Sequence, residues 1–453
     1  MTQMTLHQAL ELGWRELQAD HLSEAESVCR QILAAIPQNS DALSLLGLIL
    51  ARLGRYDEAL EVSRRAIEIN PAGAAYYCRL GGILTELDRL EDAVVTYRKG
   101  IAAQRDYVDL HNDLGNALKQ LGDIDGAMQS YRHAIDIAPQ SPIPHHNLGL
   151  VHLLKGHFKQ GFAEYAWRWR VPTLKLFNQQ FPQPVWDGGD LKGRTILLRA
   201  EQGFGDAIHF CRYVPLVAGR GAKVIFACKP PLVRLMRTLQ GYEMLATQGD
   251  PLVPFDVHAT LMDLPGLMGT TLETVPADVP YLRADPALAE TWRRRLAGVP
   301  GKKVGLAWAG AREHHNDRNR SLKLSALAPL SQIEGVSLLS LQVGSAAADL
   351  PGVSSVMKIV DYASHLTDFA ETAALIENLD LVITVDTSVA HMAGAMGKPV
   401  WVMLPYVPDW RWMLDREDSP WYPTMRLLRQ TRGRNWDQVI VGIIQNLKQF
   451  KDA

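Results

Sequence analysis

Three short stretches of the chain carry residue types suited to holding a diphosphate and a sugar hydroxyl. The first is Asp386-Thr387-Ser388-Val389-Ala390-His391, which follows the apolar run 381–385 and leads into small residues through Ala395, Gly397 and Pro399. A helix starting at Thr387 or Ser388 turns its free backbone N–H groups toward the preceding loop and makes an anion site there. Thr387, Ser388 and His391 add side-chain donors, and Asp386 can accept from a sugar hydroxyl. An ordinary N-cap with a packed, satisfied His391 accounts for the same residues equally well. The second stretch, 309–321, places Gly310, Arg312, Arg318, Arg320 and Ser321 in one loop. A guanidinium offers phosphate a bidentate fork, and a solvated polar loop is the plain alternative. His314, His315 and Asp317 share this loop, but adjacent histidines rarely converge on one ion, so no metal is expected. The third stretch is Ala200-Glu201-Gln202-Gly203-Phe204-Gly205-Asp206. Its glycines permit a sharp turn and close approach to a ligand, while a dinucleotide fingerprint would need a further glycine. Asp206 stands at a helix start, where its charge either caps the helix or faces the ligand.

These loops need a frame that presents them together. From residue 194 onward short apolar runs alternate with helical stretches, which implies parallel sheets flanked by helices. Strands are expected at 195–199 and 223–228, with helices at 208–218 and 231–239. A polar helix at 285–297 has Asp285 as N-cap and Pro286 in its first position. A second series follows, with strands at 303–308, 337–342, 356–361, 381–386 and 400–404, and a helix at 368–379 opened by an Asp368/Glu371 capping box. In open parallel sheets a ligand sits beyond the carboxyl ends of the strands, and all three candidate loops fall there. The aromatic tail Asp409-Trp410-Arg411-Trp412 and Trp421-Tyr422-Pro423 reads as packing between domains in preference to pocket lining.

The N-terminal third has a different construction. Gly13, Gly47, Gly81, Gly115 and Gly149 recur every 34 residues, followed at a fixed offset by Ala25, Ala59, Ala93, Ala127 and Gly161, then by Pro37, Pro71, Arg105 and Pro139. This register predicts pairs of short antiparallel helices that approach at the small residues and stop at the prolines. Leu46, Leu80, Leu114 and Leu148, each preceding a glycine, fill the shared core. Such a stack presents a concave face to a protein partner, with Asn112, Asn116 and Asn147 on helix positions that should line it. Bracing of the remaining chain is the simpler use of the same repeats. Charge and composition narrow the rest. A net charge of -2 gives no footprint for nucleic acid. No run reaches a membrane span, the first residues lack a signal-peptide layout, and four scattered cysteines fit a reduced, cytoplasmic protein.

Three resemblances follow from these residues. The repeats resemble the tetratricopeptide repeat, with five units over residues 6–170. The stretch 196–206 together with Asp386-Thr387-Ser388-x-x-His391 resembles the family 9 glycosyltransferases, which include the bacterial heptosyltransferases. Repeats ahead of such a module are similar in architecture to the O-GlcNAc transferases and the bacterial flagellin glycosyltransferases. The resemblance implies an α-solenoid followed by a GT-B fold of two facing Rossmann-like domains. The prolines Pro172, Pro182 and Pro184 mark a linker at 171–190, and the two alternating series give domains at 191–283 and 301–435 joined by a helix at 284–300. The resemblance makes the first the acceptor side and the second the donor-binding side, with a C-terminal helix at 436–453 crossing back to the first domain. It further implies transfer from a nucleotide-sugar donor to a protein or glycan acceptor, without a metal or other cofactor. Asp206 matches the family's proposed base; Asp386, Thr387, Ser388 and His391 match its donor contacts, to which Gly310, Arg318, Arg320 and Ser321 are added. The chain departs from the family at Ser388, commonly glycine, and at Arg318 and Arg320, where a lysine-bearing loop is common. A cell-envelope sugar transferase and a catalytically idle repeat scaffold are the competing readings.

Overall fold

The computed structural model describes residues 4–172, 174, 181–247, 249–250, 253–314 and 316–451. His315, and residues 173 and 175–180 of the expected linker, lie outside the described residues. The chain forms two compact units, Met1–Val151 and His152–Ala453.

The first unit is built of helix pairs: Leu6–Gln18 with Leu22–Ala35, Ser40–Arg52 with Tyr56–Ile69, Ala74–Glu86 with Leu90–Ala103, and Val108–Leu121 with Ile124–Ile137. The 34-residue register appears directly in the packing. Ala25, Ala59, Ala93 and Ala127 are all 0% exposed. A β-carbon added at Gly47, Gly81 or Gly115 would lie 2.1, 2.3 or 2.5 Å from Ser63, Tyr97 or Tyr131 of the paired helix. These glycines are therefore demanded by helix–helix contact. A second rule repeats at the same spacing. The Tyr77 hydroxyl donates to the Pro71 carbonyl at 3.0 Å, His111 Nε2 to Arg105 O at 2.8 Å, and His145 Nε2 to Pro139 O at 3.0 Å. A side chain of the following helix thus satisfies a carbonyl just past the end of the second, third and fourth pairs, at Arg105 as well as at Pro71 and Pro139, whereas the Pro37 carbonyl accepts from Arg65 Nη2 at 3.2 Å.

The second unit opens with helix Phe158–Tyr165 and a 3₁₀ turn, Ala166–Arg170. Two wholly parallel sheets follow. The first contains β1 (Thr195–Arg199), β2 (Lys223–Cys228), β3 (Met244–Thr247) and β4 (Val257–Thr260) in the order β3-β2-β1-β4. The second contains β5 (Lys302–Ala307), β6 (Val336–Ser340), β7 (Val360–Asp361), β8 (Leu381–Val385), β9 (Val400–Leu404) and β10 (Met425–Arg429) in the order β10-β9-β8-β5-β6-β7. Every residue of β8 is buried, as a central parallel strand covered on both faces requires. This is the expected fold class, a tetratricopeptide solenoid followed by an α/β region consistent with the GT-B arrangement.

Several expectations are corrected. Strands β3, β4 and β10 are additional to those expected, and the strand expected at 356–361 shrinks to two residues. The helix expected at 208–218 is two helices, Phe204–Phe210 and Tyr213–Ala218. Asp368 caps its helix by accepting from Ala370 N and Glu371 N, but the Glu371 carboxylate accepts from Trp292 Nε1 at 2.9 Å, so the reciprocal half of the box is missing. That bond docks helix Pro286–Arg295, which follows the first sheet in sequence, onto helix Phe369–Glu377 of the second. The C-terminal helix, Asp437–Phe450, does not cross back; Val439, Ile440, Ile443 and Leu447 are buried in the core of the second sheet with Val304, Leu306, Leu381 and Ile383. Its amphipathic stripe is satisfied locally.

Adjacent glycines in one helix isolate the packing constraint. A β-carbon at Gly81 meets the Tyr97 ring, which is 2% exposed and has nowhere to move, whereas one at Gly82 meets nothing within 4 Å. Gly82→Ala should stabilise the protein by about 0.5–1 kcal/mol, the usual helix-interior gain. Gly81→Ala should be less stable than Gly82→Ala by about 1–3 kcal/mol, the usual cost of overpacking. Urea midpoints of the two variants measure the difference.

Candidate functional site

The carboxyl ends of β1, β5, β8 and β9 supply the candidate loops. Beyond β8, Thr387 is extended (φ -142°, ψ 174°) and its hydroxyl accepts from Val389 N at 3.3 Å, capping helix Ser388–Ala395. Arg320 Nη1 donates to the Asp386 carbonyl at 3.0 Å and so fastens the arginine loop to the start of this turn. Gly310 permits the fit, since a β-carbon there would lie 2.3 Å from Arg320 Nη2. Gly310 N donates to the Ser321 hydroxyl at 2.9 Å, and that hydroxyl donates to Asp317 Oδ1 at 2.7 Å. At the root of the loop, Gln342 Oε1 accepts from Trp308 N and Ala309 N at 3.1 and 3.0 Å. The structure therefore brings Gly310, Arg320, Ser321, Asp386 and Thr387 together. Arg318 is exposed on the turn Asp317–Arg320.

The glycine loop of the first sheet meets this cluster. A β-carbon at Gly205 would lie 3.0 Å from His391 Cδ2 and 3.5 Å from Ser388 Cα, so the absence of a side chain sets how closely the two loops approach. Asp206 occupies the third position of helix Phe204–Phe210, and its Oδ2 accepts from Gly203 N at 2.9 Å. Its Oδ1 receives Arg411 Nη2 at 2.6 Å, while Arg411 Nη1 donates to Asp409 Oδ1 at 2.8 Å. Asp206 thus caps its helix with one carboxylate oxygen and reaches Arg411, in the loop after β9, with the other.

Charge at this junction is dense and partly desolvated. Burial pushes the Asp386 carboxyl up to about 6, the neighbouring Asp409 carboxylate adds to the rise, and Arg320 and Arg411 oppose it. Burial also disfavours charge on Asp409, but Arg411 outweighs it and holds this carboxyl below its ordinary range. His391 is 4% exposed, and burial, reinforced by Arg411, drives its pKa well down, so the ring is neutral. It stacks on Trp412 at 5.1 Å, and its Nδ1 lies 3.0 Å from the Tyr422 hydroxyl and 3.3 Å from His209 Nδ1.

His209 does not stand out in the sequence, and Asp409, Arg411 and Tyr422 fall in the aromatic tail, which reads there as packing. The expected packing role of the aromatic tail is met, with Trp410, Trp412, Trp421 and Tyr422 all buried. The signal within it is Arg411 between two tryptophans, because a guanidinium buried among rings must find carboxylates. Among the described residues no group of three His, Cys, Asp or Glu is placed to hold a metal ion.

In the repeats, Asn147 Nδ2, on helix Pro142–Leu154, donates to Asn112 Oδ1 at 2.9 Å, and Asn112 Nδ2 to its neighbour Asp113 Oδ1 at 3.2 Å, a ladder that links the first helices of two successive repeats. Asn116 is placed differently: its Oδ1 accepts from the Tyr131 hydroxyl at 2.8 Å.

Residues 357–403 match glycosyltransferase family 9 (heptosyltransferase). The matched segment contains Asp386, Thr387, Ser388 and His391 and stops short of Asp206 and the arginine loop. Tetratricopeptide repeats match over residues 10–74, 81–122 and 115–156. The chain is similar to Protein FlbA of Caulobacter vibrioides, with 26% identity over 325 residues, 66% of this chain and 54% of the relative. It thus spans about half the length of that curated relative. Solved structures similar to the repeats include a thermophilic tetratricopeptide-repeat protein of Thermus thermophilus (23% identity, 37% of this chain and 91% of that one, TM-score 0.33) and MamA of Desulfovibrio magneticus (19%, 36% and 94%, TM-score 0.31). Sequence matches and fold together support a glycosyltransferase module preceded by repeats. No helix among the described residues is long and apolar enough to cross a membrane.

Asp113 offers a pH test of the repeat ladder. Burial pushes its carboxyl up to about 6, above the ordinary aspartate value, with Asn112 opposing the rise. The folded state then holds a proton that the unfolded chain has lost, so stability falls as pH rises from about 4 to about 6. Asp113→Asn should remove this slope and gain about 1–3 kcal/mol over the parent at pH 7, with the gap closing below pH 4. Denaturation at a series of pH values checks it.

Proposed function

We propose that the chain is a metal-independent glycosyltransferase that moves a sugar from a nucleotide-sugar donor to a protein or glycan acceptor selected by the repeats. The single observation carrying this reading is the meeting of the glycine loop that bears Asp206 with the Asp386–His391 turn, through Gly205, at the carboxyl ends of parallel strands from two different sheets. Residues 191–283 take the acceptor side and residues 301–435 the donor side, and reduced cysteines suit work in the cytoplasm. The diphosphate lies at the start of helix Ser388–Ala395, where the backbone N–H groups, the Thr387 and Ser388 hydroxyls, Arg318 and Arg320 offset the charge that develops as the donor bond breaks. Asp386 accepts from a donor hydroxyl. Across the junction Asp206 takes the acceptor proton as the acceptor oxygen bonds to the anomeric carbon and the diphosphate leaves. Its carboxylate has about four lone-pair positions, and Gly203 and Arg411 occupy two, so an acceptor hydroxyl still finds one. On the repeats, Asn112 and Asn147 contact the acceptor, with Asn116 beside them fixed by Tyr131.

A thermal-shift screen over UDP, ADP, GDP and CMP identifies the nucleotide, because a ligand that binds the folded state raises its melting temperature. With that donor, Asp206→Asn should lower turnover by about 10²- to 10⁴-fold and leave nucleotide affinity within about twofold. Full activity in the variant would reduce Asp206 to a helix cap. Arg318→Ala should weaken nucleotide binding and flatten its dependence on salt; calorimetry showing the parent's affinity and salt slope would remove this arginine from the phosphate site.

A further inference from the structure

We propose that a buried relay, His209 to Tyr422 to His391, fixes His391 in the tautomer that carries its proton on Nε2, so that a neutral N–H donor faces the cleft. His209 and Tyr422 are then positioning residues that act through His391.

All three side chains are buried, His209 and Tyr422 at 0% exposure and His391 at 4%. Tyr422 Oη lies 2.9 Å from His209 Nδ1 and 3.0 Å from His391 Nδ1, and the two ring nitrogens are 3.3 Å apart. Burial, with Arg212 and Arg411 nearby, keeps both rings neutral, so each carries one ring proton. The tyrosine hydroxyl has a single proton to donate, and two protonated Nδ1 atoms cannot face each other at this distance. One histidine must therefore donate to Tyr422 and the other must accept from it.

His209 decides which. Its Nε2 is buried with no hydrogen-bond partner among the described residues, in a pocket whose nearest rings are Phe210 at 4.4 Å and Trp421 at 4.6 Å. A proton there would be an orphaned buried donor, the rarer and costlier kind of unpaired group. His209 thus carries its proton on Nδ1 and donates it to Tyr422 Oη. The Tyr422 hydroxyl in turn donates to His391 Nδ1, which leaves the His391 proton on Nε2. Tyr281 does not compete for the Tyr422 proton, because its hydroxyl is a donor, at 3.0 Å to Ile208 O and at 3.4 Å to Tyr422 Oη. Arg212 holds the triad in place, lying 4.4 Å over the Tyr422 ring and donating to Tyr281 Oη at 2.8 Å.

The outcome concerns the cleft. Nε2 is bonded to Cδ2, the ring atom that lies 3.0 Å from where a β-carbon at Gly205 would stand, a point itself 3.5 Å from Ser388 Cα. Resting on the function proposed above, the Nε2–H adds a neutral donor to the backbone N–H groups that receive the diphosphate. A neutral donor suits this position, since a histidinium would have to be desolvated beside Arg411.

The test is nitrogen NMR on the full chain with ¹⁵N-labelled histidine, His391 being assigned by the resonance missing from His391→Gln. The expected spectrum has a bare, pyridine-like Nδ1 and a protonated, pyrrole-like Nε2 for His391, and the reverse for His209. A protonated Nδ1 on His391 overturns the relay. Tyr422→Phe, which keeps the ring and loses the hydroxyl, should mix the His391 tautomers, and an unchanged spectrum in a folded variant also overturns it. The wild-type spectrum stands as a test even if that variant does not fold. Adding inorganic pyrophosphate should shift the His391 Nε2 resonance. If the tautomer is as expected and that resonance does not move, the diphosphate reading of the cleft fails and the relay stands.

Discussion

One buried guanidinium joins the two halves of the cleft. Arg411, 6% exposed, reaches from the loop after β9 to Asp206 beyond β1, and its other arm is fixed by Asp409 two residues earlier. The charge sits among rings, 5.1 Å from Phe210 and 4.6 Å from Trp410. In such surroundings a guanidinium is tolerable only when paired, and removing one partner of a buried ion pair typically costs about 3–5 kcal/mol. The pairing therefore constrains more than one bond. It requires the glycine loop to approach helix Ser388–Ala395 to the distance that Gly205 permits. It also fixes which face of Asp206 is left for another proton donor.

The same economy governs the polar groups around it. Arg320 ties its loop to the Asp386 backbone, and His391 is held by Tyr422 on one side and by Trp412 below. Side chains at this junction are thus positioned by partners on neighbouring elements. Asp386 is the exception in charge: its raised carboxyl sits beside the Asp409 carboxylate without a salt bridge of its own among the described residues.

Local rules written in the chain were legible. The repeat register, strands β1, β2 and β9, the Asp285 and Asp368 caps and the convergence of three loops all follow from period, cap and turn chemistry visible over a few residues. What was not legible depends on distant partners. Strands β3 and β4 are four-residue pieces without a clear alternation, and they exist because β2 and β1 supply their ladders. The C-terminal helix shows an apolar stripe, but nothing in that stripe names the sheet that will cover it. His209, and the polar roles of Arg411 and Tyr422 within the aromatic tail, were hidden for the same reason, since their meaning lies in residues as much as 213 positions away.

One irregularity in the repeat pattern has a physical explanation of this distant kind. Where earlier pairs place Ala25, Ala59, Ala93 and Ala127, the fifth places Gly161. A β-carbon there would lie 2.6 Å from the Leu153 side chain and 2.9 Å from its backbone nitrogen, a closer approach than alanine allows. Helix Phe158–Tyr165 is short, and its apolar face serves the second unit. Phe158 stacks on Trp421 at 5.8 Å, Phe162 meets Trp410 at 5.8 Å, and Arg168 just beyond pairs with Glu201 at 2.9 Å and Asp263 at 2.7 Å. Trp410 and Trp421 are also neighbours of Arg411 and His209. The last repeat helix is therefore part of the wall behind the cleft, and its departure from the 34-residue rule marks where repeat packing gives way to packing against the glycosyltransferase-like module.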